Sequence, residues 1–286
     1  MLINKDTIHF MGELIKSYGA FVLAFIGFIQ FWIKILWDKY FRKGEIDYHE
    51  TGTIEIGYGN FGPTIGLNGT LRALNKDVFV KSIDLVVIRE KDKSQHIFTW
   101  LAFRPPKIDL GGSQPMLLEI PSGFLISINS PYKFNIVFND NKLFEEIRPQ
   151  FNDYLVEWYK IVEQLNKIIV PSGNSALQAN YLIPKQTAII QDFRKSKVHL
   201  DIYTDLDRKY YWEPCDYSLT INIRTSRPDR IFRYNYHFLI NEADSKNLRL
   251  NTITILEEPV SRYLRVQNYP YYFAYSSYKK GERINE

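Results

Sequence analysis

A single cysteine, Cys215, is the only thiol among 286 residues. An intramolecular disulfide is therefore impossible, which fits a reducing compartment. No histidine lies near Cys215 in sequence, so it reads as a structural residue rather than a nucleophile. Histidine is also sparse: no two of His9, His49, His96, His199 and His237 share a metal-ligand spacing on one element. Neither a metal nor a cofactor is expected. Gly52, Gly57, Gly59 and Gly62 have neither the third spaced glycine nor the following helix of a phosphate-cradling loop, and they read as strand turns. Internal repeats and low-complexity tracts are absent, and no sign of charge dominates. The chain carries 36 basic and 32 acidic residues, and beyond residue 43 the balance is 30 to 29. A body this close to neutral is no general electrostatic trap for nucleic acid, so anion binding requires a local patch.

Against these absences stands one uncharged apolar run, from Ser17 to Ile33. Lys34 interrupts it, but a lysine at a helix end can turn its ammonium back to the headgroups, which extends the span through Trp37. About 20 residues suffice to cross a bilayer. The run ends in Phe31, Trp32 and Trp37 rather than a small-residue cleavage site, so it predicts a retained single-pass signal-anchor over 1–43. Trp32, Trp37 and Tyr40 at one end and Tyr18 at the other match the two interfacial belts. The competing reading is a buried core helix. Lys34, Lys39, Arg42 and Lys43 follow the run, whereas Lys5 and Lys16 precede it; the positive-inside rule then places the large domain in the cytoplasm. Ala20, Ala24 and Gly27 share a helix face with Gln30 nearby, a pattern that admits a second membrane helix and predicts a homo-oligomer or partner contact there.

From Thr51 to Asn139, turn residues punctuate short alternating apolar runs, the pattern of an all-β segment. Strands are expected at Thr53–Gly57, Ile65–Leu74, Val80–Arg89, Gln95–Phe103, Met116–Ile120, Phe124–Ile128 and Lys133–Phe138. The third and fourth form a hairpin across Lys91–Ser94, which sets Val87 opposite Phe98 and Leu85 opposite Trp100. Seven strands in this length predict a mainly β fold, an immunoglobulin-like β-sandwich over 44–141. Between Lys142 and Val170 the period lengthens. Phe144, Ile147, Phe151, Leu155, Trp158, Val162, Leu165 and Ile169 form one stripe, an amphipathic helix within a helical insertion over 142–196. A shorter helix is expected from Gln186 to Lys195. Strands resume at Val198 in a second β-rich portion over 197–286, possibly part of the same sandwich. There Leu219, Ile221 and Ile223 face Tyr236, Tyr234 and Phe232 across a Ser226–Asp229 loop. Leu250–Leu256 and Tyr263–Val266 are further strand candidates, and the tyrosine-rich stretch from Tyr269 to Tyr278 is either a final strand or a docking peptide.

The one concentration of candidate binding residues is that last hairpin. Arg224 and Arg233, with Asn222, Asn235 and His237, fall on its outer face, and Arg227 and Arg230 flank its turn. Planar guanidinium forks fit phosphate oxygens, so the hairpin could hold a nucleotide, a nucleic acid or an anionic lipid headgroup. A solvated edge is the competing reading. Asp201, Asp205 and Asp207 resemble a calcium loop only weakly and suit capping or turn roles better. No catalytic residues are identifiable. The sequence predicts a membrane-anchored, non-enzymatic module that binds a protein partner, with a sensor of a phosphorylated ligand as the alternative.

Overall fold

The computed structural model describes residues 5–37, 43–59, 62–104, 119–168, 183–267 and 270–280. The first described element is a 32-residue helix, α1 (Lys5–Leu36). Six strands follow: β1 (Glu45–Gly59), β2 (Gly62–Leu74), β3 (Val78–Arg89), β4 (Ser94–Phe103), β5 (Phe124–Ile126) and β6 (Tyr132–Asn139). Helices α2 (Asn141–Asn166), α3 (Ile183–Arg194) and α4 (Lys197–Arg208) lead to β7 (Cys215–Arg227) and β8 (Asp229–Ile240). Helix α5 (Glu242–Leu264) and β9 (Ala274–Lys280) complete the described elements.

The sheet is not a sandwich. Its strands run in the order β4-β6-β2-β1-β9-β8-β7-β3, and the β3–β4 pairing joins the two ends into a closed antiparallel barrel of eight strands, with β5 added outside the ring on β3. The expected immunoglobulin-like β-sandwich is thereby corrected. Alternating apolar residues require only one buried face, and a sheet rolled on itself supplies that face as well as two stacked sheets do. Bulges let the long strands bend round the ring: between Glu50 and Ile54 in β1, where Gly52 has φ +80°, near Phe79–Ser82 in β3 and between Trp100 and Ala102 in β4. Strand β3 pairs with β4 over Asp84–Arg89 but with β5 over Val78–Val80, so β4 leaves its neighbour midway. Trp100, Phe103, Phe124 and Tyr132 pack in the gap, with Phe124 stacked on Tyr132 at 4.2 Å. Of the Met116–Ile120 strand candidate, only Glu119 and Ile120 lie within the described residues, and Glu119 bridges Phe103.

The β7–β8 hairpin has the expected register, with Ile223 opposite Phe232, Ile221 opposite Tyr234 and Leu219 opposite Tyr236. The β3–β4 hairpin is offset from expectation by two residues, so that Leu85 and Val87 face Phe98 and His96. Its turn is Glu90–Lys93, clamped by Arg89, which donates to both carboxylate oxygens of Asp92. That bond holds the Asp92 carboxyl well below the usual carboxylate range. Inside the barrel, side chains fill the bore. Ile54, Ile56, Ile65, Leu67, Leu85, Val87, Phe98, Leu219 and Ile221 are buried at its centre. Towards one end Tyr48, Tyr234, Tyr236 and Tyr278 pack edge to face; burial pushes the phenols of Tyr48 and Tyr236 far above their ordinary range. Gly69 makes room for them, since a Cβ there would lie 2.6 Å from the Tyr48 ring and 2.9 Å from the Phe134 ring.

The two barrel ends differ. At the linker end, where the chain arrives from α1, Gly44 sits between Val78 and Pro228, beside the β2–β3 and β7–β8 turns. At the helical end the segment Tyr210-Tyr211-Trp212 closes the bore, and Trp212 donates from Nε1 to the Gly57 carbonyl at 2.7 Å. Helices α2, α4 and α5 pack on one another beyond that plug. Helix α2 carries the expected stripe in part: Ile147, Trp158 and Leu165 are buried, Phe144, Phe151, Leu155 and Val162 are half-buried, and Ile169 lies outside the described residues. Its Tyr154 is buried as well, and the Asp140 side chain caps the helix by accepting from Leu143 N. Helix α3 matches the expected short helix, whereas α4 and α5 replace expected strands. Ser196 caps α4 and Asn241 caps α5, and within α5 the β-branched run Thr252–Ile255 is helical. Tertiary packing overrides local preference there, for Leu248, Thr252, Ile255, Leu256 and Val260 are all buried. The tyrosine-rich stretch near residue 275 enters β9, which pairs with both β1 and β8.

His199, in the first turn of α4, is wedged between Tyr154 and Phe193, and burial lowers its pKa from the ordinary 6.5. The unfolded chain then takes up a proton before the folded one does. Stability contributed by the neutral ring is fully present above about pH 6.5 and declines as the pH falls below that value. We expect His199→Phe, which keeps an aromatic ring in place, to flatten the loss of melting temperature between pH 7 and pH 5. An unchanged slope would remove His199 as its source.

Candidate functional site

Among the described residues, three concave surfaces outside the barrel bear on function. The first is the outer face of β3, β7 and β8. Strand alternation puts Asn222, Arg224, Ile231 and Arg233 round a shallow depression of about 260 Å³. Arg224 is half exposed and donates from Nε to Asp84 at 3.1 Å; the second Asp84 oxygen accepts from Asn222 at 2.9 Å. A carboxylate thus lies among the guanidinium groups, which weakens the depression as a cradle for phosphate. Asn235 accepts from Thr220 at 2.9 Å. His237 lies four residues beyond Arg233, about 13 Å along the strand. Its Nδ1 is 3.2 Å from the Ser218 hydroxyl, which in turn donates to Glu90. Lys93 and Ser218 together hold the Glu90 carboxyl below its usual range. Arg230 is exposed opposite Thr225 near the turn, on the other face of the strand from Arg233. The side chain of Arg227 lies outside the described residues. The six candidate residues therefore do not form one cluster: Arg224 and Arg233 meet, Asn235 is adjacent, and His237 and Arg230 point to different surroundings.

The second surface pairs residues that are distant in sequence. At the helical end His96 and Asp140 meet at 2.5 Å beside a cleft of about 340 Å³ lined by Gln95, Ile97, Lys142, Leu143 and Glu146. Asp140 is almost fully buried. One carboxylate oxygen caps α2 and the other fixes the imidazole, whose ring lies 4.0 Å from that of Tyr211. A carboxylate that orients a histidine is the support a general base needs, but no hydroxyl or thiol nucleophile lines this cleft among the described residues. The couple ties the start of α2 to β4. Sequence spacing gave no sign of it; the nearest signal was an aspartate just ahead of the amphipathic stripe.

The third surface is an apolar groove of about 460 Å³ between α5 and the segment leading to β9. Leu250, Ile253, Pro270 and Tyr272 form its walls, and Asn247, Asn251 and Thr254 supply polar groups. Asn251 acts as a staple, donating to the Tyr272 carbonyl and accepting from its N–H at 2.8 and 2.9 Å. The Tyr272 hydroxyl donates to Asp244 at 2.6 Å. The groove is not legible in the sequence, because Leu250–Leu256, which supplies part of its wall, has the pattern of a strand.

Asp205 pairs with Arg208 and Lys209, and Asp207 pairs with Arg249, so these two carboxylates of the weak calcium pattern serve helix packing. No cluster of three or more potential metal ligands occurs among the described residues. Of the proposed helix-packing positions, Ala24, Gly27 and Gln30 are exposed on α1, and a Cβ at Gly27 would meet nothing within 4 Å; the side chain of Ala20 lies outside the described residues. The 21 residues Lys16–Leu36 form one helix long and apolar enough to cross a membrane. No protein-family model matches the chain, nor does any curated protein or solved structure.

Proposed function

We propose that this chain is a single-pass, membrane-anchored binding module that performs no chemistry of its own. The observation that carries the reading is the exposure of α1. None of its apolar window is buried within the fold, and Phe21, Leu23, Phe25, Phe28 and Phe31 are each more than half exposed. A core helix of a soluble domain would hide such residues, whereas lipid covers them in a spanning helix. At about 1.5 Å per residue the Lys16–Leu36 stretch reaches about 32 Å, the thickness of a hydrocarbon core. The bore packed with buried apolar side chains supports a scaffold rather than a carrier, with binding on outer surfaces. Among these the α5 groove offers apolar walls, held in shape by the Asn251 and Tyr272 bonds. On this reading it receives an apolar side chain of a protein partner, while Ala24, Gly27 and Gln30 offer α1 a second helix to pack against.

Alkaline carbonate extraction, combined with protease protection of a C-terminal tag, tests the anchor in cells that express the full chain. The tagged chain is expected to stay with the membrane and, following the basic bias after the span, to remain protected. Arginines at both Leu23 and Ile26 should cost about 5–7 kcal/mol of insertion on the biological scale and release the chain. A wild-type chain extracted by carbonate would overturn the reading.

A further inference from the structure

The linker end of the barrel exposes apolar side chains, as the helical end does at Leu200, Leu250 and Ile253, but here they lie beside the point where the chain arrives from α1. Phe79 and Leu125 are cross-strand partners on the outer face of β3 and β5, Ile128 follows in the next turn, and Ile231 stands across β7. Their exposures are 38, 59, 41 and 45%. Strand β5 is only three residues long and forms the edge of the sheet, a place where proteins ordinarily put charge to prevent association. Here the edge is apolar. Basic groups surround it: Lys43, Lys81, Arg224 and Arg230 are exposed, and Lys76 is half-buried in the β2–β3 turn. Acidic groups stand among them: Asp84 holds Arg224, Asp229 lies 3.6 Å from Lys81 and Asp77 accepts from Ile128 N, while Asp77, Asp229 and Glu45 are themselves exposed.

The chain arrives at this same end from α1. Only seven residues separate Trp37 from Glu45, so even a fully extended linker keeps the start of β1 within about 28 Å of the end of α1. We infer that the linker end of the barrel rests on the bilayer, with Phe79, Leu125 and Ile128 dipping among the headgroups and the surrounding lysines and arginines bound to anionic lipid. This inference relies on α1 being a membrane anchor. Apolar side chains ringed by basic groups are the chemistry that an interfacial lipid surface selects, and a short tether removes most of the entropy cost of bringing the two together. The helical end, with its α5 groove and His96–Asp140 cleft, then points away from the membrane, where a partner can reach it.

The test uses the full chain with Cys215→Ser as background, reconstituted into phosphatidylcholine vesicles with and without 30% phosphatidylserine. A nitroxide is placed at Leu125→Cys, at Ile128→Cys or, on α2 at the helical end, at Gln164→Cys. Collision with oxygen, which concentrates in lipid, is compared with collision with a water-soluble nickel chelate. In the anionic vesicles the oxygen-to-nickel ratio at 125 and 128 is expected to exceed that at 164 several-fold, and Lys81→Glu with Arg230→Glu should remove most of the difference. Vesicle-bound chain with equal ratios at all three positions would overturn the inference and leave the anchor intact. Chain that does not float with the vesicles would overturn the anchor, and the inference with it.

Discussion

Replacing Trp212 with alanine should destabilise the domain by about 3–5 kcal/mol, the range for truncating a large buried aromatic. The residue is fully buried and stacks on Phe98 with ring centroids 5.6 Å apart, and it also touches Tyr211, Tyr217 and Phe238. Its indole N–H bonds the Gly57 carbonyl, and its own carbonyl accepts from Ser245 at 2.6 Å. One side chain therefore joins β1, β4, β7 and β8 at the point where the bore is closed. Trp212→Phe should fall between wild type and alanine, because it keeps most of the packing and forfeits the indole bond, a loss of about 1–3 kcal/mol if the carbonyl finds no other partner. Urea unfolding of the full chain in mild detergent, followed by far-ultraviolet circular dichroism, gives the ordering. Alanine and wild type with equal midpoints would show that the plug does not hold the barrel shut.

The second large effect is expected at Asp140. Asp140→Ala removes the cap of α2, worth about 0.5–2 kcal/mol, and deprives the His96 ring of its partner, a further cost of about 1–3 kcal/mol. Asparagine caps helices as well as aspartate does, so Asp140→Asn should retain the first contribution and lose part of the second. Because both groups belong to one contact, the double variant His96→Ala with Asp140→Ala should lose less than the two single variants added together. Strict additivity in the same unfolding experiment would mean that the 2.5 Å approach contributes nothing to stability.

How far the fold could be read in advance depended on whether its cause was local. The β7–β8 register was legible because Ser226 and Asp229 close a tight turn and every inward residue from Leu219 to Ile223 is apolar. The β3–β4 register was not, since a shift of two residues leaves each side chain on the same face and periodicity cannot detect it. The observed register goes with the Glu90–Lys93 turn and its Arg89–Asp92 clamp, an interaction between particular atoms. Helix α5 was hidden behind Thr252, Ile253, Thr254 and Ile255, whose branching favours strands, although Asn241 followed three residues later by Asp244 was a cap signature that could be read. Barrel closure rests on β1 meeting β9 and β4 meeting β6, and nothing in the alternation of single strands names their neighbours. Of the candidate site, alternation alone puts Arg224, Arg233 and Asn235 on one outward face of the hairpin. Asp84, which lies within it, reaches it from a strand 140 residues away from Arg224 in sequence.

The β1–β9 seam also governs the order in which the domain can be made. Thr53 pairs with Ser277, so the ring stays open until more than two hundred further residues have left the ribosome. Contacts of such long range are slow to form, and until they do β1 and β8 present bare strand edges to every neighbouring chain. If α1 is the anchor proposed above, a nascent chain tethered by it would wait in that state at a crowded membrane. Its yield would then be set by how quickly the last strand arrives and how well chaperones shield the gap, more than by the final stability of the closed ring.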